Sequence, residues 1–110
     1  MTTGDNIKKE LSQLADEFQV GILEAALKGD PENFRVLFEL ANAYTHAGRY
    51  EEGLLLDRKL SKMRPHDPVV RYNLACSLSL LGALDEALQE LEMSFKLGYS
   101  EFAYARSDPD

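Results

Sequence analysis

The stretch ELANAYTHAGRYEEGL, beginning at Glu39, returns 34 residues later as NLACSLSLLGALDEAL, beginning at Asn73. Leu40 falls on Leu74, Ala41 on Ala75, Gly48 on Gly82 and Glu52 on Glu86. A fixed period in so short a chain constrains the fold more than any local propensity. Each copy has to be one supersecondary unit, and it buries its apolar face only against a neighbour. Within a copy the pattern is helical. Leu74, Ala75, Leu78 and Leu81 lie on one side of a helix, Gly82 can turn left-handed after it, and Asp85 and Glu86 supply acids for a new first turn. Ala87, Leu88 and Leu91 carry the second stripe, which makes a helical hairpin.

A helix–turn–helix period of this length and small/large pattern resembles the tetratricopeptide repeat. The matching residues are Leu37, Leu40, Ala41, Tyr44, Gly48 and Pro65 in one copy, and Leu74, Ala75, Leu78, Gly82, Ala87 and Leu91 in the next. Gly53 stands where the family usually has alanine, and Asp57 where it has an aromatic or large apolar residue. Arg71 and Tyr99 replace a large apolar residue and the closing proline. The resemblance implies an all-α fold, a short right-handed superhelical stack of antiparallel helical hairpins with about five helices. It would be a single domain over residues 7–101, with a half repeat over 7–33 and repeats over 34–67 and 68–101. Residues 1–6 would be a disordered N-terminus and 102–110 a C-terminal cap or tail.

The helices follow from the chain's punctuation. Ile7, Leu11, Leu14, Phe18, Ile22 and Ala25 recur at helical spacing, giving an amphipathic first helix over 7–28 with Gly21 inside it. Asp30-Pro31 is expected to cap and start the second helix, over 32–47, and Asp67-Pro68 the fourth, ending at Leu81. The third helix is expected over 50–63 and the fifth over 84–97. Tyr99, Phe102 and Tyr104 are expected to fold back onto the fifth helix; otherwise Leu88, Leu91 or Phe95 stays exposed.

A net charge of −7 disfavours nucleic acid, because neutralising phosphates needs a basic face. No apolar run approaches the roughly 20 residues of a membrane span, and the N-terminus has no signal-peptide pattern. A cytoplasmic location is the expectation. Cys76 is the sole cysteine, which rules out an intrachain disulfide. His46 and Cys76 do not amount to a metal site or a nucleophile with its base, since no CxxC, HxxxH or HExxH occurs. No catalytic residue, metal or cofactor is called for, and the chain is not expected to be an enzyme.

By resemblance, the first helix of each repeat lines a concave groove. That places Arg35, Phe38, Asn42, Thr45 and His46 on it from one repeat, and Val69, Tyr72, Cys76, Ser79 and Leu80 from the next. In chaperone-binding members two asparagines grip a peptide end together with lysine and arginine residues, and Asn42 and Asn73 match those asparagines. Phe38 stands at the first lysine position, so the resemblance implies a more apolar peptide or helix, anchored by Phe38, Tyr72 and Leu80. Arg35 and Arg71 would meet acidic residues. A competing reading packs Phe38, Tyr72 and Leu80 against the first helix. The function implied is protein–protein interaction with a protein or peptide partner. A homo-oligomeric scaffold built through the stack ends or the long first helix, or a regulatory segment of a larger protein, are the alternatives.

Overall fold

The structure, a computed structural model, describes residues 3–99. Among these the chain forms five helices and no strand: α1 (Thr3–Gly29), α2 (Phe34–His46), α3 (Tyr50–Met63), α4 (Pro68–Leu80) and α5 (Leu84–Lys96). It is all-α and made of helical hairpins of the tetratricopeptide type. Two compact units divide within α3, between Leu56 and Asp57.

The helix ends explain the hairpins. Gly48, Gly82 and Gly98 adopt φ of 83°, 83° and 97°, the left-handed state in which an L side chain is strained. At each, two amide groups turn back onto the helix just completed. Gly48 N–H donates to Thr45 O and Arg49 N–H to Tyr44 O; Gly82 N–H donates to Ser79 O and Ala83 N–H to Leu78 O; Gly98 N–H donates to Phe95 O and Tyr99 N–H to Ser94 O. This paired closure satisfies carbonyls that the helix leaves without partners and reverses the chain in a fixed direction.

The starts are one period apart as well. Asp67 caps α4, its carboxylate accepting from Val69 and Val70 N–H, with Pro68 at the first turn. The corresponding cap of α2 is Asn33, accepting from Val36 N–H at 3.0 Å, and not Asp30. Asp30 instead accepts from the Asn33 amide at 3.2 Å, so Asp30-Pro31-Glu32 forms the turn ahead of the cap. α1 begins at Thr3, ahead of the expected start at Ile7, with Asp5 in its first turn, where the helix dipole favours an acid.

In the first unit, Val20 of α1 packs with Leu40 and Tyr44 of α2, flanked by Leu23, Leu27, Ala43, Ala47 and Leu56. Arg49 ties α1 to the turn after α2. It donates to Glu52 at 2.7 and 2.8 Å and to Glu17 at 3.0 Å, and its guanidinium lies 4.8 Å from the Tyr44 ring centroid. In the second unit Leu60, Val70, Leu74, Leu78 and Ala87 are buried. Ser94, one period after Leu60, is also fully buried; its hydroxyl donates to Pro68 O at 2.8 Å.

Gly53, which stands where the family has alanine, has a local cause. A Cβ there would come within 2.5 Å of Thr45 Oγ1 and 3.3 Å of Ala41 O. Thr45 is β-branched and its hydroxyl donates to Ala41 O at 3.2 Å, so it cannot move aside cheaply. Gly53→Ala is therefore expected to destabilise by about 1–2 kcal/mol despite the higher helix propensity of alanine. Thr45→Ala/Gly53→Ala should be at least as stable as wild type. Denaturant unfolding of the double-mutant cycle measures this, and a stabilising single Gly53→Ala would contradict it.

Candidate functional site

The second unit carries an apolar groove between α4 and α5 that encloses about 590 Å³. Tyr72, Ala75, Cys76, Ser79 and Leu80 line it from α4, and Leu84, Ala87, Leu88 and Leu91 from α5. Small residues, Ala75 and Ala87, make its floor, while Leu80, Leu84 and Leu88 stand 49–60% exposed along its sides. At one end the left-handed Gly98 directs Tyr99 back onto α4, where its ring stacks on Tyr72 with centroids 4.2 Å apart and planes 8° from parallel. Phe95 lies 6.5 Å from the same ring. Phe102 and Tyr104, expected to cover α5 with Tyr99, lie outside the described residues.

Of the residues expected on a partner surface, Tyr72, Cys76 and Leu80 meet in this groove, with Ser79 beside them. Val69, at the start of α4, and half-buried Asn73 are not among its lining residues. The expected lining came only from the first helix of each repeat, yet α5 supplies Leu84, Leu88 and Leu91. Their i, i+4, i+7 spacing was the available signal.

In the first unit, Asn42 and His46 line a more polar depression with Ala15, Asp16, Gln19, Glu39 and Ala43. His46 Nδ1 lies 3.0 Å from Asp16 Oδ1, and since a carboxylate only accepts, the ring nitrogen is the donor in that bond. Arg35 is exposed and pairs with its own Glu39 at 3.1 Å. Phe38 is half-buried, its ring 5.9 Å from Phe34, and half-buried Thr45 packs on Gly53. Asn42 and Asn73 are not equivalent by the period: Asn42 corresponds to Cys76, and Asn73 to Glu39. Arg71, expected to meet acids of a partner, is engaged within its own unit. It donates to Glu90 at 2.9 Å and to Pro65 O at 3.0 Å.

Burial is the leading cause of the raised pKa of two acids, Tyr44 and Asp57. Tyr44 is buried and its hydroxyl donates to Glu24 at 2.6 Å; burial first, then this carboxylate, push its pKa up to about 12. Asp57 is 3% exposed and accepts from the Ser77 hydroxyl. Burial pushes its pKa up to about 6, and the Ser77 bond holds it down only in part.

Residues 22–54 match the family model of the tetratricopeptide repeat. The solved structure of MamA MSR-1 C2 superposes with a TM-score of 0.69 at 26% identity, covering 79% of this chain and 49% of that one. MamA AMB-1 C2221 superposes with a TM-score of 0.70, again at 26% identity, over 79% of this chain and 51% of that one. The chain contains a tetratricopeptide repeat. A chloroplastic protein of Arabidopsis thaliana shares 39% identity with this chain over 70 residues, 61% of its length. Superkiller complex protein 3 of Homo sapiens shares 31% over 77 residues, 70% of this chain. The matched part of this chain spans only 21% and 5% of the length of those two relatives. No helix among the described residues is long and apolar enough to cross a membrane.

The Asp57 shift has a definite sign. The folded chain holds this proton more tightly than the unfolded chain, so its contribution to stability falls as pH rises from about 4 to about 6. The full difference is worth on the order of 3 kcal/mol. Asp57→Asn keeps an acceptor for Ser77 without the charge. Unfolding free energies should match wild type near pH 4 and exceed it by about 2 kcal/mol at pH 7. An equal difference at both pH values would contradict this.

Proposed function

We propose that this chain is a non-catalytic protein-interaction module whose α4–α5 groove receives an amphipathic helix of a partner protein. The observation that carries the reading is the groove itself: two helices present Leu80, Leu84 and Leu88 to solvent around a floor of small residues. That shape accepts a ridge of apolar side chains at i, i+3 or i+4 and i+7. An extended peptide is less well served. It needs polar groups for its backbone, and the lining offers only Ser79, Cys76 and the Tyr72 hydroxyl.

Charge narrows the partner. The chain carries −7, and two acids of α5, Glu86 and Glu90, are already paired with Arg58 and Arg71 at 2.7 and 2.9 Å. Asp85 and Glu92 remain on the exposed part of the same helix. A partner helix with apolar anchors and basic flanks fits best, the basic residues speeding encounter and the anchors holding the complex. Tyr72 and Leu80 act as anchoring contacts in this reading, and Tyr99, stacked on Tyr72, keeps that ring in place.

Leu80→Glu/Leu88→Glu places two charges on exposed groove positions and should leave the helical circular dichroism unchanged. Captured partners, identified by mass spectrometry with wild-type chain as bait, are expected to bind the variant at least 30-fold more weakly, a loss of about 2 kcal/mol. Equal affinity for both baits would remove the groove from the binding surface.

A further inference from the structure

Helix α1 is apolar on two opposite sides. One side, Val20 with Leu23 and Leu27, packs on α2, with Leu56 of α3 against the same cluster. The other carries Ile7, Leu11, Leu14, Phe18 and Ile22, which are 50%, 61%, 67%, 71% and 54% exposed. The first four recur at steps of four, three and four, the repeat of a coiled-coil seam, and Gly21 and Ala25 continue the same register. Gly21 points at open space within its own chain, although glycine inside a helix costs about 1 kcal/mol relative to alanine.

We propose that α1 pairs in parallel with α1 of a second copy of this chain along Ile7, Leu11, Leu14 and Phe18. Area and charge both point to this occupant. The exposed stripe leaves on the order of 500 Å² of apolar surface in one patch, toward the upper end of what monomers show. Pairing two copies buries about 1,000 Å² from the stripe alone, the size at which specific interfaces begin. Parallel pairing sets Glu10 opposite Ala15 of the second copy and Glu17 opposite Ile22, so no acids meet across the seam. Antiparallel pairing sets the acidic edge of Glu10, Glu17 and Glu24 against itself. That same edge argues against a lipid surface, where such helices carry lysine and arginine. From Glu17 onward the helix is held on the first unit by Arg49 and the Val20 contacts, which lowers the entropic cost of association there.

Sedimentation equilibrium of the full chain, from micromolar to near-millimolar concentration, should give twice the mass of the chain. Leu14→Gln/Phe18→Gln should return it to the mass of one chain with unchanged helical circular dichroism. Oxidation of Ile7→Cys/Cys76→Ser should link two copies through the new thiols in high yield. If the glutamine variant loses helicity, that cross-link decides alone. A single-chain mass at the highest concentration overturns the proposal, whatever else the stripe binds. So does a dimer that survives the glutamine substitutions in folded form, or one that forms no Ile7→Cys cross-link.

Discussion

The hairpins of this chain depend on one backbone state, the left-handed residue after α2 and after α4. Gly48 and Gly82 hold the same φ of 83°, and each lets two amides close back onto the helix that ends there. A side chain in that state costs about 1–2 kcal/mol, and a different turn would send the next helix elsewhere. The residues just past each glycine are placed by it. Arg49 is brought over Tyr44, where it reaches Glu17 and Glu52 and so holds α1. The same closure at Gly98 lays Tyr99 on Tyr72. The wall of the α4–α5 groove and the turn geometry are thus parts of one constraint.

Much of this was legible in the sequence because the period makes each residue testable against its counterpart. Leu40 and Ala41 are buried as Leu74 and Ala75 are, and the ends of α3 were set by Tyr50 and Met63 as expected. The cap of α2 was misplaced onto Asp30 because Asp-Pro is the stronger local signal. The period pointed instead to Asn33, which lies one repeat before Asp67. The sequence left the packed face of α1 open. Ile7, Leu11, Leu14 and Phe18 form the more regular stripe, yet Val20 with Leu23 and Leu27 makes the contact, because those residues face Leu40 and Tyr44. Periodicity identifies an apolar side; it does not say which of two such sides finds a neighbour.

The departures from the family pattern come in pairs. Gly53 makes room for Thr45, which occupies the space an alanine methyl would take. Asp57, standing where a large apolar residue is usual, meets the Ser77 hydroxyl inside the second unit. Leu91 holds the corresponding position one period later and lines the groove. A buried carboxylate with a single neutral donor is a costly replacement for an apolar side chain, and burial raises its pKa for the same reason. The sequence showed each odd residue, but only the fold brings the second member of the pair beside it.

Residue-resolved hydrogen exchange tests the shared turn most directly. Arg49 and Ala83 lie just outside their helices, where amides ordinarily exchange quickly, yet their N–H groups donate to Tyr44 O at 2.8 Å and to Leu78 O at 2.9 Å. Both amides should exchange as slowly as those of Leu40 and Leu74 within the helices. Exchange at the unfolded-chain rate at either one, while the helices stay protected, would contradict the account.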